Sequence, residues 1–203
     1  MKKYLTPLAA LALLASAIPT VQAHGFGPPA KRGAAGAATG AFEVGTNALN
    51  VGIGLGNRYA FGTGTGSSVS PALSASFERG ILELGPGVLG VGAFVGYQGA
   101  SFDLGSGLGK YKYTDVIVTL RGAFHYPVSE QFDAYGGLGL GIRRAGVSYD
   151  GSNAILGASA VGATGGASGL FVGARYFFSS AIGAFAELGY DQTYLKAGMS
   201  LKF

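Results

Sequence analysis

Thr193-Tyr-Leu-Lys-Ala-Gly-Met-Ser-Leu-Lys-Phe203 is the stretch whose reading decides the fold. Leu195, Ala197, Met199, Leu201 and Phe203 fall on one face of a strand, and Tyr194, Lys196, Gly198, Ser200 and Lys202 on the other, because alternate side chains point to opposite sides. The first face is wholly apolar, while the second carries two lysines. Its eleven residues match the length a tilted strand needs to cross a bilayer. Lipid outside and polar side chains inside suit such a strand.

Working back from it, seven more segments alternate: 48–56, 68–78, 88–100, 112–126, 132–144, 168–178 and 182–192. Val116, Val118 and Leu120 oppose Asp115, Thr119 and Arg121; Leu138, Leu140 and Ile142 oppose glycines and Arg143; Leu170, Val172 and Tyr176 oppose Gly173 and Arg175. Pro71 interrupts 68–78, since proline deletes a ladder donor. Phe42 and Val44 are out of phase with Leu49 and Val51, which calls for a bulge or a separate N-terminal segment. Eight is an even number of strands, as a closed antiparallel bacterial barrel requires. The fold class is therefore all-β: an eight-stranded antiparallel up-and-down transmembrane β-barrel over 42–203.

The connections sort by length. Turns are expected at 79–87, 127–131 and 179–181 on the periplasmic side. On the other side the sequence predicts 57–67, 101–111, a long mobile loop at 145–167 and a tight turn near 192–193. The aromatic residues sort independently. Phe77, Tyr126, Phe132, Tyr176, Phe178 and Phe203 all lie on apolar faces at the periplasmic strand ends, with Tyr97 and Tyr190 at the opposite ends. Aromatic rings favour the boundary between headgroup and hydrocarbon, so this alignment predicts girdles.

Composition bounds the alternatives. Glycine supplies 38 of the 203 residues, against about 7% in ordinary proteins, without a Gly-X-Y period. Aromatics at 12% oppose low-complexity disorder; glycine alternating with Leu, Val or Ile instead marks strands with a closely approached face. Met1-Lys-Lys3 followed by an apolar run, with Val21-Gln22-Ala23 as a cleavage site, reads as a signal peptide over 1–23. Residues 24–41 then form a flexible leader. Without Lys2 and Lys3 the chain keeps 12 basic and 10 acidic residues, and no Lys/Arg cluster supports nucleic-acid binding. The sequence has no cysteine, and strand closure can satisfy the backbone without disulfides.

The inward faces collect Glu78, Asp115, Arg121, His125, Arg143, Arg175, Glu187, Lys196 and Lys202. The bore of an eight-stranded barrel is filled by side chains, and buried charges must pair. The expected lumen charge network is Glu78, Asp115, Arg121, Arg175, Glu187 and Lys196, with Arg121, Arg175 and Lys196 arranged around Glu187. No catalytic, cofactor-binding or metal site is expected. Ser129 follows His125 in a turn after Pro127, with nothing to hold it as a nucleophile beside a base. Gly62-Thr-Gly64-Thr-Gly66 and Gly137-Leu-Gly139-Leu-Gly141 lack the phosphate-loop spacing. Tyr149, Asp150 and Asn153 are the contact candidates of the long loop.

The signal peptide, Phe185-Ala-Glu-Leu-Gly-Tyr190 and the closing Gly198-Met-Ser-Leu-Lys-Phe203 resemble the small bacterial outer-membrane barrels of the OmpA/OmpX and opacity types, a porin-like family. The resemblance implies a location in the outer membrane of a Gram-negative bacterium and contact with its lipid. It also implies that Phe203 is read by the barrel-assembly machinery during insertion, and that a monomer engages a surface ligand through its external loops. Tyr126, Phe132, Tyr176 and Phe178 would form the girdle beside Phe203. The expected role is structural or surface-interactive, without enzymatic activity or cofactor. Two alternatives are a narrow porin or small-ligand channel, and a soluble exported lipocalin-like binding barrel.

Overall fold

A computed structural model describes residues 40–56 and 66–203. The expected signal peptide, most of the expected leader and the 57–65 stretch lie outside the described residues. The elements are β1 (Asn47–Leu55), β2 (Ser67–Val69), β3 (Ala72–Leu84), β4 (Gly87–Asp103), β5 (Lys110–Pro127), β6 (Phe132–Asp150), the one-turn helix α1 (Ala154–Ala158), β7 (Ala163–Phe177), β8 (Ile182–Gly189) and β9 (Leu195–Lys202). Every pairing is antiparallel, and β4 pairs with both β3 and β5, so the sheet returns on itself through β1–β9–β8–β7–β6–β5. β2 and β3 are one strand interrupted at Ser70-Pro71, both lying against β4. The barrel is eight-stranded, and Pro71 explains the ninth fragment.

Alternation survives the folding. Val51, Ile53, Leu73, Leu120, Leu138, Leu140, Ile142, Leu170, Val172, Leu188 and Met199 are exposed on the outside, whereas Glu78, Arg121, His125, Asp133, Arg175, Glu187 and Lys196 are buried inside. This inverts the usual distribution of a water-soluble domain. On β5 the apolar outward face runs from Tyr126 to Val116. Ten residues rise about 33 Å along a strand. At a tilt of ~40° that is about 25 Å along the axis, the height of a lipid-facing band. Among the described residues no helix is long and apolar enough to cross a membrane; the strands do so.

Four boundaries differ from expectation. β3 continues through a register shift between Gly80 and Leu82, so the predicted 79–87 connection shrinks to Gly85-Pro86. There Gly85 adopts φ +59°, the left-handed conformation that opens a type II′ hairpin and that glycine tolerates. β6 and β7 extend to Asp150 and from Ala163, which cuts the 145–167 loop to 151–162. Asn153 Oδ1 accepts from the amides of Ile155 at 3.0 Å and Leu156 at 3.2 Å and so caps α1. Residues 190–194, not 192–193, connect β8 to β9, and this moves Tyr194 off the inward face: it is 55% exposed and lies beside Tyr190. Finally, Ala41 is fully buried with Phe42, so the end of the leader packs into the barrel.

The strands are unequal. β4, β5, β6 and β7 hold 17, 18, 19 and 15 residues, while β1, β8 and β9 hold 9, 8 and 8. The long strands rise beyond the lipid-facing band as a projecting sheet at the end opposite the Gly85-Pro86, 128–131 and 178–181 turns. These two ends are called here the loop end and the turn end.

Candidate functional site in the barrel lumen

Glycine makes the room that the inward side chains fill. Arg121 on β5 is flanked in register by Gly92 on β4 and Gly139 on β6. A Cβ on Gly92 would run into the carbonyl oxygen of Phe77, and one on Gly173 would lie 2.7 Å from the Tyr135 ring. Large and small residues therefore alternate around the bore, as filling a narrow barrel demands.

At the loop-end level, Arg121 Nη2 donates to Glu187 Oε2 at 2.7 Å, and Lys196 Nζ lies 2.6 Å from Glu187 Oε1. Tyr135 donates to the same Glu187 Oε2 at 3.3 Å. Lys196 also binds Asp191. At the turn-end level, Arg175 bridges Glu78 and Asp133, the latter at 2.9 Å, and its Nε donates to Asn50 Oδ1 at 3.1 Å. His125 Nδ1 lies 3.0 Å from Asp133 Oδ2. Arg121 Nε and Glu78 Oε1, 3.7 Å apart, join the two levels. Four carboxyl groups thus face two guanidiniums, one ammonium and one imidazole. The guanidinium carbons also lie over rings, Arg121 3.4 Å from the Phe171 centroid and Arg175 4.3 Å from that of Tyr135, a favourable placement for a partly desolvated cation.

Every member is nearly inaccessible, from 0% for Arg175 and His125 to 5% for Asp191. Removing one partner from such a set leaves an uncompensated buried charge. No cavity able to admit a water molecule remains among Thr119, Arg121, Gly139, Gly169, Phe171 and Asp191. At the loop end, buried Asp191, Gln192 and Thr193 fold across the mouth, with Gln192 Nε2 donating to Leu73 O at 3.3 Å. Ideal Cβ atoms on Gly169, Gly96 and Gly54 would collide with those three side chains in turn. The 190–194 connection is thus seated on glycines as a cap.

The structure brings together five of the six expected network residues: Glu78, Arg121, Arg175, Glu187 and Lys196. Two expectations are corrected. Arg175 binds Glu78 and Asp133 instead of Glu187, since β7 meets β3 across the bore. Asp115 stands apart, bonded to Arg143 Nε at 2.9 and 2.7 Å through its two oxygens nearer the loop end. Sequence reasoning left Asp133, Asp191 and Phe42 out of the site. The first two lie on the inward phase of their segments and were legible by alternation; Phe42 signalled itself only by being out of phase.

Phe203, Tyr126, Tyr176 and Phe178 are exposed at the turn end, with Phe132 half-buried there, opposite Tyr176 in register. Ser129 Oγ accepts from the amides of Gln131 and Phe132 at 3.3 and 3.0 Å, so it serves the turn. The loop contact candidates are also engaged structurally: Tyr149 donates to Leu108 O, Asp150 pairs with Lys112 at 2.7 Å, and Asn153 caps α1. Among the described residues no group of His, Asp and Glu is placed to hold a metal ion.

A closed ring with an apolar outer band and an ionic, filled interior defines a small transmembrane β-barrel protein. No protein-family model matches the chain, and no curated protein matches it. Solved structures do. Ail, the attachment invasion locus protein of Yersinia pestis, in complex with the heparin analogue sucrose octasulfate, is 15% identical over 79% of this chain and 99% of that one, with a TM-score of 0.49. OprG of Pseudomonas aeruginosa is 14% identical over 82% and 99%, with a TM-score of 0.45. The N-terminal β-barrel domain of OprF from the same organism is 14% identical over 79% and 97%, at 0.42.

Proposed function

We propose that the protein is a Gram-negative outer-membrane barrel with a structural or surface-interaction role and a lumen closed to solutes, free of enzymatic activity. The filled ionic bore carries this reading. Both levels of the network are paired, and the capping residues Asp191, Gln192 and Thr193 are buried in the mouth. A conduit for ions would have to break several buried pairs at once.

The projecting sheet is the surface available to a partner. On its outward face, above the apolar band, a shallow groove runs between Ser68, Ser70 and Ser101 on one side and Lys110, Lys112 and Thr114 on the other. In this reading the turn end faces the periplasm, residues 1–23 are a cleaved signal peptide, and the exposed rings of Tyr126, Tyr176, Phe178 and Phe203 are girdle residues. Phe203 is the assembly signal. A lipocalin-like carrier is disfavoured by the inverted polarity, because such a barrel keeps apolar residues for its ligand and polar ones for water.

Purified barrel reconstituted in planar bilayers tests the closed lumen. Silence across several salts and voltages is expected, and stepwise single-channel currents would replace this reading with the narrow-porin one. Recovery of the protein in a detergent-free periplasmic extract would overturn the membrane assignment.

A further inference from the structure

The turn-end mouth is covered by residues that belong to no strand. Between Gly40 and Thr46 the chain crosses it, held on three sides. Ala41 N donates to Ser129 O at 3.0 Å, in the β5–β6 turn. Gly45 N donates to Gly80 O at 2.9 Å, and Gly80 N returns a bond to Thr46 O at 3.0 Å, on β3. Lys202 Nζ donates to Ala41 O at 3.3 Å, from β9. Internal bonds stiffen the crossing: Gly40 N donates to Glu43 Oε1 at 2.7 Å, and Thr46 N to Glu43 O at 3.0 Å.

This crossing drives one apolar side chain into a charged interior. Phe42 is fully buried, and its ring stacks on His125 with centroids 3.8 Å apart and planes 17° apart. The Arg175 guanidinium carbon lies 5.7 Å from the same ring. The socket is cut to fit: a Cβ on Gly80 would meet the Glu43 carbonyl and lie 3.2 Å from Phe42 Cε1, and one on Gly90 would lie 2.8 Å from His125 Nε2 and 3.4 Å from Phe42 Cε1. Among the described residues His125 Nε2 is buried without a hydrogen-bond partner, 3.7 Å from Glu78 Oε2. A polar nitrogen left so would gain from hydration, and Phe42 stands where solvent would enter.

We propose that residues 40–46 are a built-in strap whose Phe42 plugs the turn-end mouth and denies small aqueous solutes access to the lower half of the lumen. The strap is a separate closure from the 190–194 cap at the other mouth. It rests on the closed-lumen reading, which bilayer recording tests independently: the Arg121–Glu187–Lys196 level remains in place when Phe42 is gone, so unplugged barrels stay electrically silent. Currents from wild-type barrels would therefore count against the closed lumen and not against the strap.

The test is acylation of His125 by diethyl pyrocarbonate, followed by peptide mass spectrometry, in folded barrels whose unheated electrophoretic mobility is native. Wild-type His125 is expected to react at least ~50-fold more slowly than histidine in a short peptide. Phe42→Ala should raise its rate at least ~10-fold, and Phe42→Leu, which refills the socket, should return most of the protection. Gly80→Val, which displaces the strap through the Glu43 carbonyl, should expose His125 with Phe42 still present in the sequence. Gln192→Ala, at the other mouth, should leave the rate unchanged. Peptide-like reactivity in the wild type, no acceleration in Phe42→Ala and Gly80→Val, or equal acceleration by Gln192→Ala would each overturn the plug.

Discussion

Asn47 and Phe203 exchange both backbone hydrogen bonds, at 2.9 and 3.1 Å, and Asn47 Nδ2 adds a third to the Phe203 carbonyl at 3.1 Å. The first residue of β1 is thereby tied to the residue after β9, and the ring closes along eight register pairs from Ala48–Lys202 to Leu55–Leu195. This seam joins the two most sequence-distant strands, so its formation completes the barrel and removes the last free sheet edges below the projecting sheet.

The seam is narrow at Gly198. A Cβ there would strike the Val51 carbonyl oxygen and lie 2.5 Å from Gly52 Cα. Gly198→Val should cost about 1–3 kcal/mol through overpacking and reduce the fraction of barrel that keeps its compact mobility in unheated electrophoresis. Gly165→Val, where a Cβ meets nothing within 4 Å among the described residues, should leave that fraction unchanged.

Phe203→Ala, which keeps the hydrogen bonds to Asn47, should lower the amount inserted in the membrane while leaving any activity of the projecting sheet intact per folded molecule. Its ring is 68% exposed and lies 6.5 Å from that of Phe77 between centroids, so little packing is lost with it. Quantitative blotting of outer-membrane fractions checks this; wild-type insertion would remove the assembly role.

Leu120 is 74% exposed near the middle of the apolar band. Leu120→Arg should cost about 2–4 kcal/mol, whereas Thr114→Arg, on the same face of β5 but beyond the band, should cost about 0–1 kcal/mol. Urea unfolding from lipid vesicles measures both. Equal costs would mean that the band does not face lipid.

Glu187 and Lys196 sit directly opposite each other on β8 and β9 as well as in ionic contact. Glu187→Ala leaves Arg121 and Lys196 short of a carboxylate and should cost about 3–5 kcal/mol. Lys196→Met should cost a similar amount, and the double variant clearly less than the sum. Strict additivity in that double-mutant cycle would show that the contact carries no coupling.

Much of this barrel was readable from alternation, for a physical reason. A period of two assigns each side chain to lipid or lumen without knowledge of its partner, and an eight-stranded bore leaves inward charges nowhere to go but to one another. Glu187–Lys196 is a neighbouring-strand pair of this legible kind. Arg175–Glu78 and Arg121–Glu187 are not: β7 meets β3, and β5 meets β8, across the lumen. Those choices depend on the stagger of the closed sheet, which no single strand encodes.

The sequence by itself determined the strand count and the outward or inward face of the strand residues, because both follow from local periodicity and length. Only the tertiary structure decided which carboxylate meets which cation, that 190–194 caps one mouth, and that Phe42 is buried in the other. A phenylalanine outside the alternating pattern carries no face assignment. Its place on His125 exists only once closure has built the socket between Gly80 and Gly90.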